Sequence, residues 1–391
     1  MDMVMVICTT TDRDHTITHT MRQGTRMDDM DISACNAVAR LWCKLTQCVA
    51  VTIICLLPPS VIAIEASGEV AAAAELAGPD RSERLLAKAR AEGKLNLYAT
   101  MGQEQISVLA AEFEKKYGIK VNIWRANSES VLRRAVTEAK GGRFEVDVIE
   151  SNGFELESLH IEKLAQPINT PYAVHMIAEA QPVHREWIGN RANLFVFAYN
   201  SQKVNRDELP KSYADLLDPR WKGRLAAESD NIDWFFTVGQ ALGEERTLKL
   251  FGEIVRTNGV QLRKGHPLLA SLAASGEVPA VTATYNYFID KLRKEKSAPV
   301  AWVAVAPAVA RISGLALSRR APHPYAAMLF IDFMLTDAQR MLPSMDLIPA
   351  SRSEKALPAG VDWKFVNPAE LVKQSEKWSR LYQQVFAGAA R

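Results

Sequence analysis

LNLYATMGQEQISVLAAEFEKKYGIKVNIW, residues 95–124, decides how this chain folds. Its opening run, Leu95 to Ala99, is short and apolar and ends at Thr100-Met101-Gly102, the pattern of a buried strand. Ile106, Leu109, Ala110, Phe113 and Tyr117 then recur at helical spacing until Gly118 stops them. A second strand over 119–124 follows, then a helix over 128–140 and a third strand over 146–150. Three strands alternating with helices make two βαβ units, hence a parallel sheet with right-handed crossovers. Just upstream a helix is expected over 81–92, opened by Asp80 and Glu83 as a capping box and closed by Gly93.

In such a sheet the loops beyond the carboxyl ends of the strands form the ligand crevice. Here they are 100–103, 125–128 and 151–153. Thr100, Met101, Arg125, Asn127, Ser128, Ser151 and Asn152 are therefore candidate ligand contacts. A helix start offers unpaired N–H groups and about half a positive charge, which suits an anion or a carbonyl oxygen. Ser128, Ser151 and Asn152 are equally the residues that ordinary helix starts use as caps.

All five cysteines lie before residue 56, and the last two sit in the apolar run Cys48 to Leu57. Arg40 and Lys44 precede that run, and Pro58-Pro59 and Ala63 follow it, which is the layout of a secretory signal. Residues 1–63 are therefore expected to be an export signal, cleaved near Ala63 or at Ala66. Its polar preface, residues 1–26, points to translation starting at Met27 or Met30. The run is shorter than the roughly 20 residues of a spanning helix, which disfavours the competing reading of a retained anchor. Residues 64–80, rich in Ala with Gly and Ser, are expected to be a linker.

Removing 1–63 takes away five basic and six acidic side chains, leaving a mildly positive chain with no block of like charge. Nothing in it forms the clustered basic face of a nucleic-acid binder. A remainder of this length exceeds what one core usually holds, so two domains are expected.

The second half brings a more specific pattern. Tyr213-Ala-Asp-Leu-Leu-Asp-Pro-Arg-Trp-Lys-Gly-Arg224 leads into a strand at Leu225-Ala226-Ala227. This run resembles the family 1 extracellular solute-binding proteins of ABC importers, particularly their ferric-iron-type branch. Leu95 to Tyr98, Phe113 to Val121, Asp147 to Glu150, and Tyr199-Asn200 with Val204 agree with it, so the resemblance spans about Arg81 to Ala356.

The resemblance implies an α/β, two-lobed periplasmic-binding-protein fold of type 2. Each lobe would be a mainly parallel sheet flanked by helices, the two joined by hinge strands. Lobe 1 is then expected at 80–193 and 311–355, and lobe 2 at 194–310 and 356–391, with crossings near 195–200 and 303–311. It also implies a periplasmic protein that captures a small solute, here ferric iron or a ferric chelate, and hands it to an inner-membrane ABC permease. No cofactor is expected, Fe3+ being the transported ligand.

In the ferric relatives two neighbouring tyrosines bind the metal as phenolates, since hard trivalent iron favours anionic oxygen. This chain has Tyr285 and Tyr287 around Asn286. On a regular helix, residues two apart face nearly opposite ways; in an extended turn they share a side. Tyr285 matches that motif and is a candidate metal ligand; Tyr287 is a second one only if the turn is extended. Asp233, Trp234 and Asn286, at strand-to-helix turns, and Arg263 are further candidate ligand contacts. Where some relatives use a histidine after the first strand, this chain has Gly102-Gln103-Glu104; where they use a carboxylate after the third, it has Ser151-Asn152-Gly153. Glu104 or Glu150 would have to substitute.

The other readings are a small organic anion, a phosphonate or carboxylate, bound without metal, and a sensory or catalytic protein on the same fold. Enzyme motifs are missing: no Gly-x-Ser-x-Gly elbow, phosphate loop or His-Glu-x-x-His helix occurs, and the later histidines lack ligand spacing.

Overall fold

The computed structural model describes residues 68–354 and 357–386; the expected signal, 1–63, lies outside them. The first half is built as its periodicity predicts. β1 (Lys94–Ala99) pairs in parallel with β2 (Lys120–Arg125) on one side and β3 (Val148–Asn152) on the other. Helices α2 (Arg81–Glu92), α3 (Gln103–Tyr117) and α4 (Ser128–Lys140) connect or flank them. Gly93 and Gly118 end α2 and α3 with φ of 71° and 75°, a conformation open to glycine at no steric cost.

Three local expectations change. Residues 68–74 of the expected linker form a helix, α1 (Gly68–Ala74), whose Val70, Ala73 and Ala74 are buried. Small side chains let it pack closely, so alanine content marks an interior contact here. Asp80 makes no capping bond; with φ −94° and ψ 9° it lacks the extended geometry of a cap, and it pairs with Arg84 instead. The third strand starts and ends two residues later than expected. Asp147 turns away to accept hydrogen bonds from the Asn96 and His323 backbone N–H groups, while Ser151 and Asn152 continue pairing, with β10 (Ala308–Ser318).

β5 (Ile188–Asn200) is thirteen residues long and buried throughout, and it runs antiparallel to β10. These two long strands belong to both halves. One path of hydrogen-bonded strands runs β2-β1-β3-β10-β5-β8-β6-β7, where β6 is Leu225–Glu228, β7 Gln261–Arg263 and β8 Ala280–Tyr285. β6 is parallel to both β7 and β8, the second parallel cluster.

Two hydrophobic cores flank the crossing. One gathers buried residues from 70–196 and 310–350, with Phe113 set edge-on to Phe330 and Phe333. The other, drawn from 195–309 and 366–386, is aromatic: Phe235 meets Phe251, Trp378, Tyr382 and Phe386. The C-terminal helix, Pro368–Phe386, supplies the last three. The change of core falls at Phe195–Val196 on β5 and Val309–Ala310 on β10.

Candidate functional site

β8 ends at Tyr285, whose φ of −84° and ψ of 135° are extended; α9 (Asn286–Lys296) begins one residue later. The chain therefore turns from strand to helix between the two tyrosines, and they come to the same side. Their rings lie 5.7 Å apart and within 8° of parallel. Tyr287 packs against both cores, so this pair stands at the seam between the lobes.

Neither phenol hydroxyl has a hydrogen-bond partner among the described residues. Other buried tyrosines do: the Tyr98 hydroxyl donates to Glu138, Tyr213 accepts from Trp234, and Tyr382 donates to the Glu228 carbonyl. A buried phenol normally finds such a partner. Burial holds both phenols above their ordinary value, with Arg311 opposing the shift at Tyr285 and Arg191 and Arg311 opposing it at Tyr287.

Arg311, on β10, lies beside Tyr285. Its Nη1 donates to Asp233 at 2.6 Å, and its guanidinium carbon lies 4.7 Å from the centre of the Tyr285 ring. Its Nε is buried without a partner. His266, at the start of α8 (His266–Ser275), also lies against Tyr285, ring centroids 4.0 Å apart. Burial first, then the Arg311 charge, pushes its imidazole down to about 3, so it is neutral. Glu155, on the first turn of α5 (Gly153–Ile161), has a buried Oε2 with no partner. Burial pushes its carboxyl up to about 7 against the pull of Arg311.

The structure thus brings Asp233, Tyr285 and Tyr287 together, and adds Arg311, His266 and Glu155, which the sequence reading did not select. The signal available for Arg311 was a single charge inside the apolar run 300–317.

The remaining candidates, Ser151 excepted, have structural partners. Trp234 is fully buried, with Nε1 donating to the Tyr213 hydroxyl at 2.7 Å; an aromatic ring at a helix start points inward when a core lies beneath it. The Thr100 and Met101 N–H groups both donate to Glu150 Oε2 at 2.8 Å. Glu150 is one strand over in register with Ala99, so the anion at this crevice loop is the protein's own carboxylate. Glu150 is itself held by Arg191 at 2.7 Å and cannot act as a free ligand. Met101 is buried, and Arg125 donates outward to the Met101 and Thr100 carbonyls. Asn127 caps α4 through Ser130 N–H. Ser128 accepts from Asn152, whose Oδ1 accepts from Ser313. Ser151 is buried with its hydroxyl unpartnered. Asn286 accepts from Leu194 N–H and fastens α9 to β5, whereas Arg263 donates to Leu262 and Gln261 on its own strand.

Glu104 is taken by Lys291 of α9 at 2.5 Å, across the seam, and Lys294 one turn later pairs with Asp346. These exposed pairs are weak singly. Lys291→Glu with Lys294→Glu replaces both attractions with repulsions and is expected to favour the open form. A larger radius of gyration by small-angle scattering checks it; an unchanged value in the ligand-free protein refutes it.

The histidines also turn out closer than their spacing suggests. His160 and His184 stack at 3.8 Å, 7° from parallel, and Glu157 lies within reach of both. Glu157 Oε2 already accepts from His184 Nε2 and Trp187 Nε1, and parallel rings do not aim their lone pairs at one point. Only Glu157 is buried here, and its Oε2 is already taken by two donors.

The family model described as "Bacterial extracellular solute-binding protein" matches residues 147–373. The "Fe(3+)-binding periplasmic protein" of Serratia marcescens is 28% identical over 206 residues, 52% of this chain and 60% of that protein's length. "Iron uptake protein A1" of Synechocystis is 24% identical over 285 residues, 68% of this chain and 77% of the other. Among solved structures, iron-bound HitA from Pseudomonas aeruginosa superposes with a TM-score of 0.66 at 24% identity, covering 75% of this chain and 99% of its own. AfuA from Actinobacillus pleuropneumoniae, with fructose-6-phosphate bound, gives 0.64 at 19%, covering 76% and 99%. No described helix is long and apolar enough to cross a membrane. With a family match over more than half its length and the two-lobed type 2 architecture of those neighbours, the chain belongs to the bacterial extracellular solute-binding proteins.

Proposed function

We propose that this protein captures ferric iron, as the ion or as a chelate, between its lobes in the periplasm. It then presents the closed form to an inner-membrane ABC permease; it carries the metal as cargo and catalyses nothing. The observation that supports this reading most is the pair Tyr285 and Tyr287: parallel, at the seam, with both hydroxyls free of protein partners. Two phenolates are the donors that a hard trivalent ion selects, and the curated relatives at Serratia and Synechocystis carry iron in their names.

Calorimetric titration with ferric citrate, beside iron-free citrate, tests it. Ferric-dependent heat accompanied by a visible phenolate-to-iron band supports the reading, and its absence from ligand-stripped, folded protein refutes it. A small organic anion held without metal is the second reading. It is favoured by the unpartnered Nε groups of Arg191 and Arg311, and iron-free citrate binding as tightly as ferric citrate would select it.

The pH dependence follows from the phenols. Both are held above their ordinary value, so both are protonated at neutral pH, and each Fe–O bond must expel a proton. Ferric affinity at fixed free-iron activity is expected to rise with pH, up to about tenfold per unit for each proton released. Acid releases the metal. Chelator competition at three pH values reads the slope, and a flat profile contradicts phenolate ligation.

A further inference from the structure

His184 stands on the segment that feeds β5, which begins at Ile188. The Glu186 backbone N–H donates to His184 Nδ1 at 3.0 Å. A backbone N–H can only donate, so Nδ1 carries no proton; the ring proton sits on Nε2 and is given to Glu157 Oε2 at 3.0 Å. The imidazole is thus held as one neutral tautomer. A second proton can enter only at Nδ1, where it removes the acceptor of Glu186.

His160 differs. It stacks on His184 at 3.8 Å, and its Nδ1 faces Glu186 Oε2 at 3.1 Å without the alignment of a hydrogen bond. It can take up a proton without breaking a bond. The charged groups facing the two rings are Glu157 on α5, Glu186 itself, and Arg319, which donates to Glu186 at 3.2 Å. Glu179 lines the groove beside His184, and the C-terminal segment 365–369 brings no titratable side chain to it. Two carboxylates and one guanidinium are balanced by one proton on the stacked rings. The second sets two cations face to face.

The segment so held is strained. Arg185 has a φ of 56°, a left-handed conformation that a non-glycine residue keeps only while its neighbours impose it. Its N–H donates to the Pro182 carbonyl at 3.0 Å, and its carbonyl accepts from Ile168 N–H at 2.8 Å. Glu157 also accepts from Trp187 Nε1. The helix that carries Glu157 and His160 begins hard against β10, where a Cβ added at Gly153 would lie 3.2 Å from the Ile312 carbonyl oxygen. His184 therefore ties α5 to the entry of β5, at the lobe 1 end of the two shared strands.

We propose that His184 is an acid-sensitive clasp: a proton at Nδ1 expels the Glu186 N–H, releases residues 184–187 from α5 and slackens the lobe 1 anchor of β5. The clasp uses none of the cleft tyrosines and holds whatever solute is carried.

Native-state hydrogen exchange of the ligand-free protein reads it, with rates corrected for their intrinsic pH dependence. Between about pH 7.5 and about pH 5, which spans the ordinary imidazole range, the Glu186 and Ile168 amides are expected to lose protection by at least about tenfold. Amides of β1, in the middle of its sheet, should keep theirs. His184→Asn isolates the ring: its side-chain oxygen can accept from the N–H two residues on, as in an Asx turn, yet takes up no proton in this range. Protection at Glu186 should survive in that variant and no longer respond to acid. In the unaltered protein, ring nitrogen shifts should report Nδ1 as unprotonated near neutrality and protonated as Glu186 loses protection. Equal protection at both pH values, or a protonated Nδ1 at neutral pH, overturns the proposal. So does an undiminished acid response in His184→Asn, which would put the titration on the carboxylates.

Discussion

Tyr285→Phe is expected to abolish the visible phenolate-to-iron band or shift it to the weaker one-phenolate form, and to lower ferric affinity by at least about a hundredfold. Removing one hydroxyl leaves the ring, its contact with Tyr287 and its stacking on His266 in place. The folded state is therefore expected to lose almost nothing, because neither hydroxyl makes a hydrogen bond to the protein. Loss of ligand with retained stability separates a ligating role from a packing one. Tyr213 or Tyr382, whose hydroxyls are bonded in the core, would show the reverse: reduced stability and unaltered iron binding. Tyr285→Phe binding ferric citrate as the unaltered protein does would remove the phenol from the site.

Arg191→Leu is expected to cost about 3–5 kcal/mol of stability, since removing one member of a buried pair strands the other. Glu150 has no exposed surface and Arg191 is 4% exposed. The same carboxylate accepts from Thr100 and Met101, so protonating or displacing it also loosens the loop 100–102. Chemical denaturation should show the stability change, and hydrogen exchange should show the Thr100 and Met101 amides losing protection first. A change under about 1 kcal/mol would mean that water reaches Glu150 and that the pair is not buried in solution.

Much of the architecture is legible in short-range pattern. Leu95 to Glu150 announces its strands and helices by spacing, and Gly93 and Gly118 mark helix ends that the chain indeed makes. The shared side of Tyr285 and Tyr287 was readable as a condition: it holds if the turn is extended, and Tyr285 is extended. What stayed hidden was pairing over long separations. That Ser151 and Asn152 continue as strand depends on β10, some 160 residues later. The availability of a polar group is hidden for the same reason. Thr100 and Glu155 look alike as polar residues near helix starts, yet the Thr100 N–H is taken by Glu150 while Glu155 Oε2 has no hydrogen-bond partner. Trp234 was misplaced because a sequence shows an aromatic ring at a helix start without showing the Tyr213 and Phe251 rings beneath it.

β5 and β10 are hydrogen-bonded to one another up to the point where the cores change, from Ile188 opposite Leu315 to Phe195 opposite Val309. The connection between the lobes is thus a ribbon and not two separate threads. A two-stranded ribbon tolerates a wide range of twist, whereas sliding one strand past the other breaks its ladder and turns side chains to the wrong face. Lobe motion is thereby confined to torsion and bending about one axis, with shear excluded. The donors on the two lobes then meet along a single reproducible arc, and a geometry set at one end of the ribbon is transmitted to the other without a search.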